Sequence, residues 1–282
     1  MEKNPKRPQD TAKRTKMRKL SKLEWTLIFA AGVLLMVLIA MLILKPYYQI
    51  PEIAPPTNPS TQQPITTAPE TTETLSPETT VETEPVMLAH MAELYAQNPE
   101  IVGWIKIPDT VLDYPVMYTP DVPEKYIRHN FEGKRNAYGL PFVDGVCKMD
   151  PESQNLIIYA HNMTNGTMFA SLLEYEKEEY WREHPIIEFS TLYEERKYEI
   201  VAAFRDRVYY THEDVFKFYQ FIDAEDEAHF QEAVENYKEK AIYDTGVELE
   251  FDDKLITLVT CAYHHKYGRF VVVAREITED ET

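Results

Sequence analysis

The sequence predicts a mainly β domain, an eight-stranded closed or nearly closed barrel with inserted helices, carried behind one transmembrane helix and a disordered linker. Three observations predict it. Short apolar runs bounded by Pro, Asp, Asn and Gly dominate residues 87–282. The stretch "WTLIFAAGVLLMVLIAMLIL" at 25–44 carries no charge. Between the two lies a segment of Pro, Thr and Glu with almost nothing to bury.

The uncharged stretch comes first in the chain. As a helix it spans ~30 Å, the thickness of a bilayer's hydrocarbon core. A buried soluble helix would need surrounding elements that the rest of the chain does not offer. A cleaved signal peptide fits less well, because the run is too long for an h-region and "KPYYQIPE" after it holds no A-x-A site. The cluster Lys13, Arg14, Lys16, Arg18, Lys19 and Lys22 stands just before the span. By the positive-inside rule this keeps residues 1–24 as a cytoplasmic basic tail. The expectation is therefore a signal anchor at 25–44, single-pass in the cell membrane, with the C-terminal bulk extracellular.

Charge divides the chain the same way. Of 29 Lys/Arg and 47 Asp/Glu, residues 1–24 hold nine and three, which leaves 20 against 44, or −24, beyond them. An acidic body excludes nucleic acid as a partner, since phosphate binding needs a basic surface. Two cysteines, Cys147 and Cys261, make no disulfide framework.

Residues 45–86 read as a linker. "PPTNPSTQQPITTAPETTETLSPETTVETEP" cannot offset its own ordering entropy and is expected to stay extended or disordered. At ~3.1 Å per residue in polyproline II form it reaches on the order of 100 Å from the membrane.

Residues 87–282 form the folded unit. "MLAHMAELYAQNPE" starts it as a helix with Met87, Met91, Leu94 and Tyr95 on one stripe. Strands are expected at 101–107, 111–118, 138–143, 156–160, 186–190, 198–208, 255–260 and 270–277. Helices are expected at 168–182 and 225–240, the second with Phe230, Val234, Tyr237 and Ala241 at helical spacing. Closing such a sheet removes its exposed edges.

Three residues invite chemistry. Cys261 follows "LITLVT" directly and so stands at a strand end, with Leu255, Thr257 and Val259 facing one way and Ile256, Leu258 and Thr260 the other. Arg269 lies eight positions on. If the two strands pair as antiparallel neighbours, the loop "AYHHKYG" returns it beside Cys261. A guanidinium there favours a thiolate and can donate to the oxyanion of a tetrahedral intermediate. His161 ends the strand "LIIYA" and can serve as general acid and base. On the residues alone each also has a plain reading: a small buried hydrophobe, a strand-flanking charge, a surface-loop histidine. His264 and His265 are nearer to Cys261 in sequence but sit in the turn, where side chains point to water. Asn162-Met-Thr164 and Asn165-Gly-Thr167 match the short glycosylation sequon. No C-x-x-C or H-E-x-x-H spacing supports a zinc site, and no metal or cofactor is required.

These residues resemble a known family. "TLVTC" is similar to the TLxTC motif of sortases, membrane-anchored transpeptidases of Gram-positive surfaces, and Arg269 with the histidine in "IIYAHNM" completes that family's trio. "NPEIVGWIKIPDTVLDYPVM", "GLPFVD", "NLIIYAHNMTNGTMFASL" and the helix at 225–240 follow its class B branch, over roughly residues 90–278. The resemblance implies a sortase-type eight-stranded barrel with Cys261 as nucleophile, His161 as general acid and base, and Arg269 as oxyanion or substrate-positioning donor. It implies substrate contacts from Thr260 and Asn162. The implied partners are secreted proteins with a C-terminal sorting signal, NPxTN-like or LPxTG-like, and an amine from a peptidoglycan precursor or a pilin lysine. The chain departs from the family pattern at Ala160, where glycine is common, and at the two histidines of the turn. Cys147 is a further oddity, since a Cys147–Cys261 disulfide would silence the enzyme.

Three functions follow as alternatives: a transpeptidase, a hydrolytic cysteine peptidase at the cell surface, and a noncatalytic wall-binding scaffold. The amine dependence of product formation separates the first two. Thiol reactivity of Cys261 separates both from the third.

Overall fold

The computed structural model describes residues 29–39, 85–263 and 265–278. The chain divides into two units, Met1–Pro46 and Tyr47–Thr282. In the first, residues 29–39 are helical. The rest of the expected anchor at 25–44, the basic tail and the linker up to residue 84 lie outside the described residues. Among the described residues no helix is long and apolar enough to cross a membrane.

Among its described residues the second unit holds eight strands: β1 (Ile101–Lys106), β2 (Asp113–Met117), β3 (Phe142–Val143), β4 (Asn155–Tyr159), β5 (Ile186–Thr191), β6 (Glu195–Arg207), β7 (Leu255–Cys261) and β8 (Gly268–Glu276). They close into a barrel in the order β1-β2-β3-β4-β7-β8-β6-β5, and closure pairs each strand on both sides. Every expected strand is present, within a few residues at its ends apart from the third, which is only two residues long. Strand β7 lies between parallel β4 and antiparallel β8. Its residues 255–260 are buried without a break, which accounts for a continuous apolar run rather than an alternating one.

One expected helix is broken in two. Residues 168–182 are expected as one helix. Instead a 3-10 helix at Phe169–Glu176 is followed by α2 at Glu178–Glu183, with Lys177 extended between them. The buried residues of the first piece, Phe169, Leu172 and Tyr175, recur every three positions. That spacing keeps one face only at three residues per turn.

Helix α1 (Ala89–Gln97) buries Met91 and half-buries Leu94, while Met87 packs nearby just before it. Tyr95 departs from the expected stripe and is exposed. It sits one position past Leu94, a 100° step that turns it from the sheet. Helix α3 (Glu227–Lys240) starts where the Asp226 carboxylate accepts from the His229 amide at 2.9 Å. It buries Phe230, Ala233, Val234 and Tyr237.

Candidate active site

Parallel pairing of β4 with β7 decides where the chemistry-bearing residues meet. Tyr159 stands opposite Val259, and the Ala160 amide continues the ladder to the Val259 carbonyl at 3.2 Å. Two parallel neighbours end at the same pole of the barrel. His161, just past β4, and Cys261, last in β7, therefore leave the sheet side by side. Strand β8 runs the other way and begins at that pole, with Arg269 directly opposite Cys261 in the register. Two strand exits and one strand entry thus converge.

All three side chains line one cleft of about 300 Å³, and each is half-buried. Its walls include Ile127, Phe142, Asp144, Tyr159, Phe218 and Tyr219. Cys261 is a free thiol. A guanidinium Nη1 of Arg269 donates to the carbonyls of Gly268 at 3.0 Å and Tyr267 at 3.3 Å, which anchors the side chain at the mouth of the turn.

His161 Nε2 lies 2.8 Å from the Ile127 carbonyl oxygen. A carbonyl only accepts, so Nε2 carries the hydrogen and Nδ1 keeps the lone pair in the neutral ring. Burial holds the imidazole below the ordinary histidine value. The Ile127 hydrogen bond opposes that shift and the positive charge of Arg128 adds to it. A neutral ring that shares a cleft with a thiol is suited to take a proton.

Thr260 and Asn162, the two expected substrate contacts, also bond to the strand ends. Thr260 borders the cleft but is buried, and its hydroxyl donates to the Ala160 carbonyl at 2.9 Å. The Asn162 amide donates to the Cys261 carbonyl at 2.9 Å. Both bonds tie the β4 exit to the β7 exit and so fix how far apart His161 and Cys261 stand. In the β7–β8 turn, His265 Nδ1 donates to the neighbouring Lys266 carbonyl at 2.6 Å; His264 lies outside the described residues. Cys147 is a free, buried thiol whose Sγ lies 3.6 Å from the Asn155 carbonyl. Burial, with nearby Asp144 and Asp223, pushes it up to about 12. Among the described residues no group of three or more His, Cys, Asp or Glu side chains is placed to hold a metal ion.

Several wall residues escape the sequence reading. Asp144 and Phe142 sit inside "GLPFVD", which offers a signal through its resemblance. Tyr159 precedes the expected histidine by two positions, and burial and the Asp144 carboxylate raise its phenol well above the usual tyrosine range. Ile127 contributes a backbone carbonyl, which has no residue-type signature at all.

The sequence profile of the sortase domain matches residues 105–277. The chain belongs to the sortase family. It is 31% identical over 193 residues to Sortase B of Listeria monocytogenes, covering 67% of this chain and 74% of the relative. The solved Staphylococcus aureus sortase B–substrate complex superposes with a TM-score of 0.61 at 29% identity, over 68% of this chain and 87% of that one. A sortase B structure complexed with triglycine gives 0.60 at 30% identity, over 67% and 86%. This sortase is thus a cysteine transpeptidase of the class B kind, and its barrel is the sortase barrel.

Proposed function

We propose that this sortase cleaves a C-terminal sorting signal on secreted proteins and joins the new carboxyl end to an amine of a peptidoglycan precursor or a pilin lysine. Cys261 Sγ attacks the scissile backbone carbonyl as its proton passes to His161. The guanidinium of Arg269 donates to the oxyanion of the tetrahedral intermediate. His161 returns its proton to the leaving amine, the C–N bond breaks, and a thioacyl enzyme remains. The incoming amine attacks the thioester, loses a proton to His161, and releases Cys261 as an amide forms. The convergence of Cys261, His161 and Arg269 on one cleft carries this reading.

The uncharged stretch at 25–44 serves as a signal anchor, with the basic tail at 1–24 in the cytoplasm, the linker at 45–86 as a tether, and the barrel outside the cell. The positive-inside asymmetry supports that orientation. Protease added to intact cells is expected to remove the barrel and spare the basic tail; the reverse pattern overturns the orientation.

The test of the activity uses a panel of NPxTN-like and LPxTG-like peptides with triglycine, a probe suggested by the triglycine complex of the relative. Ligated product that depends on triglycine and vanishes in Cys261→Ala is expected. Hydrolysed peptide at saturating triglycine would reassign the chain to peptide hydrolysis, and an inert Cys261 would reassign it to a scaffold.

A further inference from the structure

We infer that Glu100 and Tyr126 are positioning residues for His161, acting through the Ile127 carbonyl, and that proton transfer in this sortase runs through His161 Nδ1. The inference rests on the proposed role of His161 as acid and base, and it extends that role to a specific ring nitrogen and to residues outside the cleft.

The Ile127 carbonyl belongs to the short 3-10 helix Lys125–Arg128. Carbonyls at the end of such a turn have no partner within it, so this one is free to receive the imidazole. A single turn does not hold its own shape in water. Here it is tied down from several sides. The Tyr126 ring is fully buried among Met91, Trp104 and Phe142. Its hydroxyl donates to Glu100 Oε2 at 2.5 Å and accepts from Asn98 Nδ2 at 2.7 Å. Lys125 Nζ donates to both Glu100 oxygens, at 2.7 and 2.5 Å. The Leu140 amide donates to the Tyr126 carbonyl at 2.9 Å. Gly139, at φ +62°, comes so close that a Cβ there would stand 2.6 Å from the Ile127 oxygen. Backbone is thus pressed against the carbonyl that receives the histidine.

The consequence is chemical. With the carbonyl fixed, Nε2–H has one acceptor and the ring cannot exchange tautomers without losing that bond. Nδ1 is left to take the Cys261 proton and to return it to the leaving amine. The imidazolium formed in between still donates through Nε2. The same role falls to a carboxylate in triads of the serine type; a backbone carbonyl does it here without adding a charge to the cleft. The charged or titratable groups that share the cleft with His161 are Glu124, Asp144, Tyr159, Tyr219, Cys261 and Arg269, and Arg128 lies near the ring.

Two measurements on the full chain test this. The first needs no variant at Tyr126 or Glu100: long-range ¹⁵N–¹H spectra of the imidazoles, with the His161 signals assigned by their loss in His161→Gln. A neutral ring protonated at Nε2 is expected, and a ring protonated at Nδ1 overturns the inference. The second compares Tyr126→Phe and Glu100→Gln with the parent in triglycine-dependent ligation. We expect kcat to fall by roughly tenfold or more with KM little changed, together with mixed tautomer signals. Glu100→Asp, which restores the carboxylate, should recover part of the rate. If Tyr126→Phe does not fold, Glu100→Gln decides. Unchanged kcat and unchanged ring spectra in the folded variants overturn the inference. A His161→Gln enzyme that still ligates at the parent rate sinks the underlying role of His161 instead, which the ring spectra alone would not.

Discussion

Cys261 and Arg269 face each other directly across the β7–β8 ladder, so their separation is set by backbone hydrogen bonding rather than by flexible loop. The guanidinium is held by two carbonyls of its own turn, which points its remaining donors away from that anchor. Arg269→Ala is expected to lower kcat for ligation by about 100-fold, the size of effect seen when one oxyanion donor is removed. Alkylation of Cys261 should persist in the variant. Arg269→Lys should rescue little, because one ammonium cannot keep the turn carbonyls and also reach the oxyanion with a planar fork.

The depressed His161 value predicts two pH effects with one sign. The folded ring titrates below 6.5 because it is buried, so the acid limb of kcat/KM should have its midpoint below 6.5. Stability follows by linkage. The unfolded chain takes up this proton near 6.5 and the folded chain only at lower pH, so the unfolded state binds more protons in that window. The contribution is full above 6.5 and is lost as pH falls from there through the folded value. Denaturant midpoints across this range should fall more steeply for the parent than for His161→Gln, which removes the titration.

Much of this arrangement is legible without coordinates. Strands announce themselves through apolar runs between turn residues, and all eight can be read because each run buries its residues in one barrel. Antiparallel return across a seven-residue loop is enough to place Arg269 beside Cys261. The β4–β7 neighbourhood is not legible from periodicity, because a parallel pair joins segments about a hundred residues apart; only the family resemblance carries His161 to the site. The helix expected at 168–182 misleads because apolar spacings of three and of 3.6 diverge little over two turns. The resemblance points Thr260 and Asn162 to the substrate; that each also satisfies a strand-end carbonyl is a need that residue type does not reveal. The Ile127 carbonyl is invisible for the same reason.

Cys147 and Cys261 should respond to thiol reagents in opposite ways. Cys147 is buried and its thiol is pushed up to about 12, so almost no thiolate forms and little reagent reaches it. Cys261 is half-buried in an open cleft. Mass spectrometry after brief native labelling is expected to find one adduct, on Cys261, and two after unfolding. Cys147→Ala should leave ligation intact and cost about 1 kcal/mol from the small cavity left behind. Native labelling of Cys147 at a comparable rate would contradict the packing around it.

Asp206 offers the sharpest stability test, because it is a buried charge held by few partners. It stands opposite Arg269 on the other side of β8, with its side chain only 3% exposed. Lys240, the last residue of α3, donates to its Oδ2 at 2.6 Å, and Oδ1 accepts from the Tyr209 hydroxyl at 2.6 Å and the Arg207 amide at 2.8 Å. Removing the cation leaves a buried carboxylate with two neutral donors and no ion-pair partner. Lys240→Met is therefore expected to destabilise by about 2–4 kcal/mol in denaturant unfolding, with Asp206→Asn in the same chain recovering most of the loss. The pair also anchors one wall of the cleft: the Tyr209 amide donates to the hydroxyl of Tyr219, which lines it. Loosening that wall should raise KM for the peptide more than it lowers kcat. A Lys240→Met enzyme with parental stability would show that Asp206 finds water once the lysine is gone, and that α3 is not pinned to β6 through this pair.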